Sequence, residues 1–189
     1  MAQHQYVERV VDLIDPGTNQ IFGQLIEGAR KSLFAGTHGE IGRIAGSFAL
    51  VAHEGKTVRM ARSLDRPMRY FLAKQQAGPL LIVASRIDAI YEWLCKAGVA
   101  AQFHPSYTRM VPAHHVVEIQ LVGCPDPDPV YTRFFTPEMG TLPADLDVIG
   151  RHYISAVADE IAQWLDAVPA EEPIGVCFSG GIDLSLIHI

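Results

Sequence analysis

The chain has 189 residues, 49% of them hydrophobic and 19% charged, with a formal net charge of −6. That length can bury roughly 70% of the unfolded surface, and eight Phe, six Tyr and two Trp supply a core that a disordered chain lacks. The acidic balance excludes a general nucleic-acid or anionic-membrane binder, and no apolar run approaches the roughly 18 residues that span a bilayer.

The N-terminus lacks a basic segment followed by an apolar one, so no secretory signal is read and a cytoplasmic location is expected. Cys95, Cys124 and Cys177 are far apart and form no CxxC pair, which indicates neither a zinc ribbon nor a disulfide framework. His114 and His115 are adjacent just before an apolar stretch. Neighbours on a strand point to opposite faces, so no shared metal site is expected from them.

In chain order, Val7, Val10, Val11 and Ile14 have helical spacing, stopped by Asp15-Pro-Gly. Ile21, Phe22, Leu25, Ile26, Ala29 and Leu33 predict a second amphipathic helix, capped by Thr18 or Asn19 and ended by Gly36. From Gly46, four short runs begin at Ser47, Thr57, Arg69 and Pro79. They predict one antiparallel sheet, with a hairpin turn at His53–Lys56. Ile87, Ile90, Tyr91, Leu94 and Cys95 mark a helix face ended by Gly98. Val116–Val122 reads as a strand with Val117, Ile119 and Leu121 on one face.

Cys124-Pro-Asp-Pro-Asp-Pro cannot complete a ladder and reads as an exposed connector. Tyr131–Phe135 is one more short strand. Leu146, Ile149, Tyr153, Val157, Ile161 and Trp164 step by three or four residues and predict a helix of about five turns. The run Ile174-Gly-Val-Cys-Phe is continuous rather than alternating, as in a parallel strand buried on both faces. A domain boundary is expected between about residues 124 and 145, with an α/β domain opening after it.

Ile174–Phe178 leads directly into Ser179-Gly-Gly-Ile-Asp183. A buried strand ending in Ser-Gly-Gly exposes backbone N–H groups at the carboxyl edge of a sheet, where glycines let the backbone approach a bulky anion. The amides of a following helix add positive potential there, and the serine hydroxyl adds a hydrogen bond. Asp183 is placed to help hold Mg²⁺ or to cap the helix. Ser-Gly-Gly alone is also an ordinary turn. Neither GxxxxGK[ST] nor GxGxxG is present.

Val176-Cys-Phe-Ser-Gly-Gly-Ile-Asp183 resembles the pyrophosphate-binding SGGxDS loop of the asparagine-synthetase family of ATP pyrophosphatases. Further segments are similar in the right order. Gly46-Ser-Phe-Ala-Leu-Val resembles the family's glycine-x-Phe-Ala strand, and Ala61–Tyr70 a shortened "ARDRxGxRPLYY" stretch. Leu81–Ser85 with the following helix resembles "FASEIKAL", and Met110–Ile119 resembles the "VPPGH" strand. The resemblance implies an α+β chain: an N-terminal-nucleophile, class II glutamine amidotransferase-like layered αββα domain over 1–140, then the first helix and strand of an ATP-pyrophosphatase domain over 141–183.

The activity that the resemblance implies is that of an ATP-dependent amide ligase, which adenylates a carboxylate and transfers an amine, with ATP and Mg²⁺ as cofactors. Its partners would be ATP, a small-molecule carboxylate and an amine donor; a homodimer is open. Ser179, Gly180, Gly181 and Asp183 are the nucleotide-binding positions carried over. Gly39 and Glu40 resemble the glutamine-contacting part of "NGEIYN".

Two departures accompany the match. The glutaminase nucleophile is a cysteine at position 2, freed by removal of Met1; here position 2 is Ala2, so no catalytic residue is assigned. The domain is therefore expected to be degenerate or N-terminally shortened, and a non-catalytic binding or scaffold domain is the alternative. After Asp183 the family has Ser, whereas this chain has Leu184-Ser-Leu-Ile-His-Ile189. That hexapeptide can be encoded by CTGTCTCTTATACACATC, the end sequence of a transposon used in sequencing libraries. Residues 184–189 are accordingly expected to be a non-native tail, and the chain a fragment without activity of its own.

Overall fold

The computed structural model describes residues 9–35, 39–75, 78–121 and 128–175. The chain is mixed α+β and divides into two compact units, Met1–Thr136 and Pro137–Ile189.

Among the described residues the first unit holds ten strands: β1 (Arg9–Asp12), β2 (Gln20–Phe22), β3 (Ala45–Ser47), β4 (Ala49–Glu54), β5 (Thr57–Arg62), β6 (Arg69–Gln75), β7 (Gly78–Ala84), β8 (Arg109–Met110), β9 (His115–Gln120) and β10 (Val130–Arg133). Its helices are α1 (Ile26–Ser32) and α2 (Ile87–Lys96). One sheet runs β1-β7-β6-β8, a second runs β10-β9-β5-β4, and β2 pairs with β3.

Alternation along the strands sorts the core into three layers of side chains. Between the sheets lie Val51, Val58, Met60, Val117 and Ile119 from one, and Tyr70, Leu81 and Val83 from the other. On the outer face of the second sheet, Leu50, Ala61 and Val116 pack against Ala29 and Leu33 at α1. On the outer face of the first, Phe71, Leu80 and Ile82 pack against Ile90 and Leu94 of α2. The result is a stack of helix, sheet, sheet and helix.

Several expectations are corrected. Residues 9–12 are a strand, not a helix: β1 pairs parallel with β7, Arg9 opposite Leu80, and both its faces are covered, Val10 between the sheets and Val11 toward α2. The helix expected from Ile21 begins only at Ile26. Gly23, at φ +75°, breaks the run after β2. Asn19 does not cap that helix; its Oδ1 accepts from Ala49 N at 2.7 Å. Asp15 instead caps a 3-10 turn at Pro16–Thr18. Gly36 lies outside the described residues. The four runs do form two hairpins, but β4–β5 and β6–β7 belong to different sheets. The helix at Ile87–Lys96 and the strand around Val117 form as expected, and the strand expected at Tyr131–Phe135 runs instead from Val130 to Arg133.

The second unit contains α3 (Leu146–Ala167), over the span its spacing predicts. Asp145 caps it, accepting at Oδ1 from Asp147 N at 2.9 Å and Val148 N at 3.1 Å. None of its residues is buried. Ile174, where a buried strand is expected, is half exposed and in no strand. The rest of that run lies outside the described residues. No helix among the described residues is long and apolar enough to cross a membrane.

Candidate functional site

A cavity of about 130 Å³ opens in the first unit between the 3-10 turn Ile41–Arg43, the start of β4, the end of β5 and the chain after β10. Ile41, Ile44 and Phe48 form its apolar floor; Ser63, His114, Phe134 and Phe135 stand around it. Gly46 also lines it, at φ +107°. A Cβ there would meet Gln20 O on the paired strand at 2.0 Å, so this close β2–β3 approach requires glycine.

His114 enters β9 with φ +58°, a left-handed backbone that a side chain seldom adopts. Two backbone hydrogen bonds hold it: its N donates to Arg62 O at 3.2 Å, and its O accepts from Phe134 N at 2.9 Å. Its ring meets the ring edges of Phe135 at 4.8 Å and Phe134 at 6.0 Å between centroids. The strain thus sets the imidazole between two aromatic walls. His115 faces elsewhere, with Nδ1 2.8 Å from Ala113 O; a carbonyl only accepts, so Nδ1 carries the proton.

The loop between β5 and β6 is fixed by a buried cation. Arg62, 7% exposed, donates from Nε to Val111 O at 2.6 Å, and from Nη1 to Ser63 O, Leu64 O and Arg66 O at 3.0–3.2 Å. Burial lowers its pKa and the charge of Asp65 opposes that. The guanidinium is thereby matched by carbonyls rather than by a carboxylate in contact.

Ser63 is engaged as well. Its Oγ accepts from Phe48 N at 3.0 Å and lies 2.6 Å from Asp65 Oδ1, where it donates. Ser47 donates to Asp65 Oδ2. Burial raises the Asp65 pKa, but the hydrogen bonds from Ser47 and Ser63 and the charge of Arg66 outweigh it, and the net shift is downward. A carboxylate held low is a poor base, so the Ser63–Asp65 pair is not an activated nucleophile. The cavity is small. It is well below the roughly 300–1,000 Å³ of clefts for drug-sized ligands. It suits a group of a few heavy atoms, not a nucleotide.

Gly39 and Glu40 are exposed and immediately precede the 3-10 turn; the lining of the cavity begins one residue later, at Ile41. Ala2, Ser179, Gly180, Gly181 and Asp183 lie outside the described residues. Among the described residues no cluster of His, Cys, Asp or Glu could hold a metal ion. Sequence reading missed Ser63, His114, Phe134 and Phe135 as cavity residues. Phe134 and Phe135 lie in the run Tyr131–Phe135, which shows in the sequence only as a short strand, and Ser63 and His114 lie just outside strands β5 and β9.

Compared with protein-family models, with curated proteins and with solved structures, the chain matches none.

Proposed function

We propose that this chain supplies an amidotransferase-type αββα domain of the N-terminal-nucleophile class, followed by the nucleotide-binding opening of an ATP-pyrophosphatase domain. The protein carrying it would join a carboxylate to an amine, driven by ATP cleavage. One observation carries the reading: three segments that resemble the asparagine-synthetase family converge on one cavity. Gly46 and Phe48 come from the glycine-x-Phe-Ala strand, Ser63 from the shortened ARDR stretch and His114 from the "VPPGH" segment. The helix-sheet-sheet-helix stacking supports it independently.

In this reading the first domain binds a small group rather than hydrolysing glutamine, since Ser63 is held by Asp65 and Phe48, and Ala2 carries no thiol. Gly39 and Glu40 sit on the rim turn, where they could touch such a ligand. Ser179, Gly180 and Gly181 would hold the phosphates, and Asp183 would help hold the Mg²⁺ that neutralises charge there. The carboxylate oxygen attacks the α-phosphorus and pyrophosphate leaves. The amine then attacks the acyl carbon, and AMP and a proton leave.

The test is ATP–pyrophosphate exchange by the protein purified from its native host with the sequence that flanks these residues in place. A panel of carboxylic acids is assayed. Exchange with at least one acid, reduced about tenfold or more by Ser179→Ala and by Asp183→Asn, is expected. No exchange with any acid, or exchange indifferent to both substitutions, overturns the reading.

A further inference from the structure

The outer strands β8 and β10 carry cations and phenols on the faces that look between the sheets. Arg109 on β8 is the register partner of Tyr70 on β6. Tyr131 and Arg133 on β10 are the partners of Val117 and His115 on β9. Tyr70 and Val117 both belong to the core between the sheets, so alternation puts Arg109, Tyr131 and Arg133 on those same inner faces. The Tyr70 hydroxyl, on a residue only 4% exposed, meets the hydroxyl of Tyr131 at 3.1 Å and ties β6 to β10. Arg109 is near enough for its charge to act on the Tyr70 phenol. Arg133 lies two residues along from Tyr131, about 7 Å on an extended strand.

This group has more donors than acceptors. The two phenols share one hydrogen bond, which uses one of their two O–H protons. Arg109 and Arg133 make no ion pair among the described residues, whereas Arg30, Arg59 and Arg86 each face a carboxylate. In a chain of net charge −6, these two guanidinium groups, with no ion pair among the described residues, flank a phenol pair and bring positive charge and directed donors together.

We propose that Arg109, Tyr131 and Arg133, with Tyr70 behind them, form a binding site for a small oxyanion, a carboxylate or a phosphate monoester. Arg109 meets two oxygens with its fork, the phenol pair supplies a single directed donor, and Arg133 adds charge. This site stands on the β8 and β10 edges and shares no residue with the cavity around His114.

The test is NMR titration of the ¹⁵N-labelled 189-residue chain with inorganic phosphate and, separately, with citrate, following the arginine Nε–H signals. A saturable shift of the Arg109 signal is expected with at least one of them. Read at the Arg133 signal, Arg109→Gln should weaken binding about tenfold or more, and Arg151→Gln on α3 should leave it unchanged. Tighter binding of phosphate assigns a phosphate ester as the ligand; tighter binding of citrate assigns a carboxylate. Arg109 is exposed on a two-residue strand, so its replacement spares the core; Arg133→Gln, also expected to weaken binding, is a second measurement independent of it. No saturable shift below about 50 mM of either anion, or equal affinity in the parent chain and both variants, overturns the proposal.

Discussion

Two glycines with left-handed backbones separate conformation from crowding. Gly23 has φ +75° with no atom within 4 Å of a Cβ placed there, whereas at Gly46 the Cβ would meet Gln20 O at 2.0 Å. Gly23→Ala is expected to cost about 1 kcal/mol, the backbone penalty alone. Gly46→Ala should cost about 2–4 kcal/mol, because β2 and β3 must also separate. Urea denaturation of both variants checks this; equal costs would show that the close approach to Gln20 is unimportant. Asp65 carries a pH signature. Its carboxyl titrates below its ordinary 3.8 in the folded protein. The stability it contributes is therefore complete above that value and is lost as pH falls through the lower folded value. Asp65→Asn is expected to be less stable at pH 7 by at most about 1 kcal/mol, since the residue is exposed and screened. Below the folded value the difference should vanish. A gap that persists or widens in acid would contradict the assignment.

α1 has seven residues, too few to hold a helix alone, and one arginine secures its end. Arg59 donates from Nη1 to Leu33 O at 2.9 Å, lies over the Phe34 ring at 4.8 Å and pairs through Nε with Glu118 Oε2 at 2.7 Å. Lysine has one point charge and no planar fork, so it cannot make all three contacts. Arg59→Lys is expected to cost about 1–2 kcal/mol, read by urea denaturation. A double-mutant cycle with Glu118→Gln should return a coupling, and zero coupling would remove the ion pair from the account. α2 is legible in the sequence through its one buried face, Ile90 and Leu94, and β9 through the alternation of Val117 and Ile119 with Glu118 and Gln120. β1 is not, because Val10 and Val11 are covered on opposite faces, so helical spacing and a buried strand look alike. The hairpins are legible too, but their division between two sheets is not. That division is set by pairing across distance, such as Thr57 with Gln120. For the same reason Gly46 and Phe48 can be singled out, whereas His114 and Phe134 meet only once β9 and β10 pair.

At the scale of the molecule, residues 137–145 join the two units and are exposed throughout. Limited proteolysis is expected to cut there first and leave a resistant product ending near Thr136. First cleavage inside β4–β7 would contradict the division into units. β1 also sets an order in time. Its parallel partner β7 follows about seventy residues later. At roughly 5–20 residues per second, synthesis leaves β1 without that partner for about 4–14 s. Closing the β1–β7 loop also carries the entropy of the whole intervening chain. Among the described strand pairings, β1–β7 therefore spans the most chain and waits the longest for its partner. Until β7 is made, Val10 and Val11 stay uncovered, and each hairpin strand meets its neighbour sooner than β1 does.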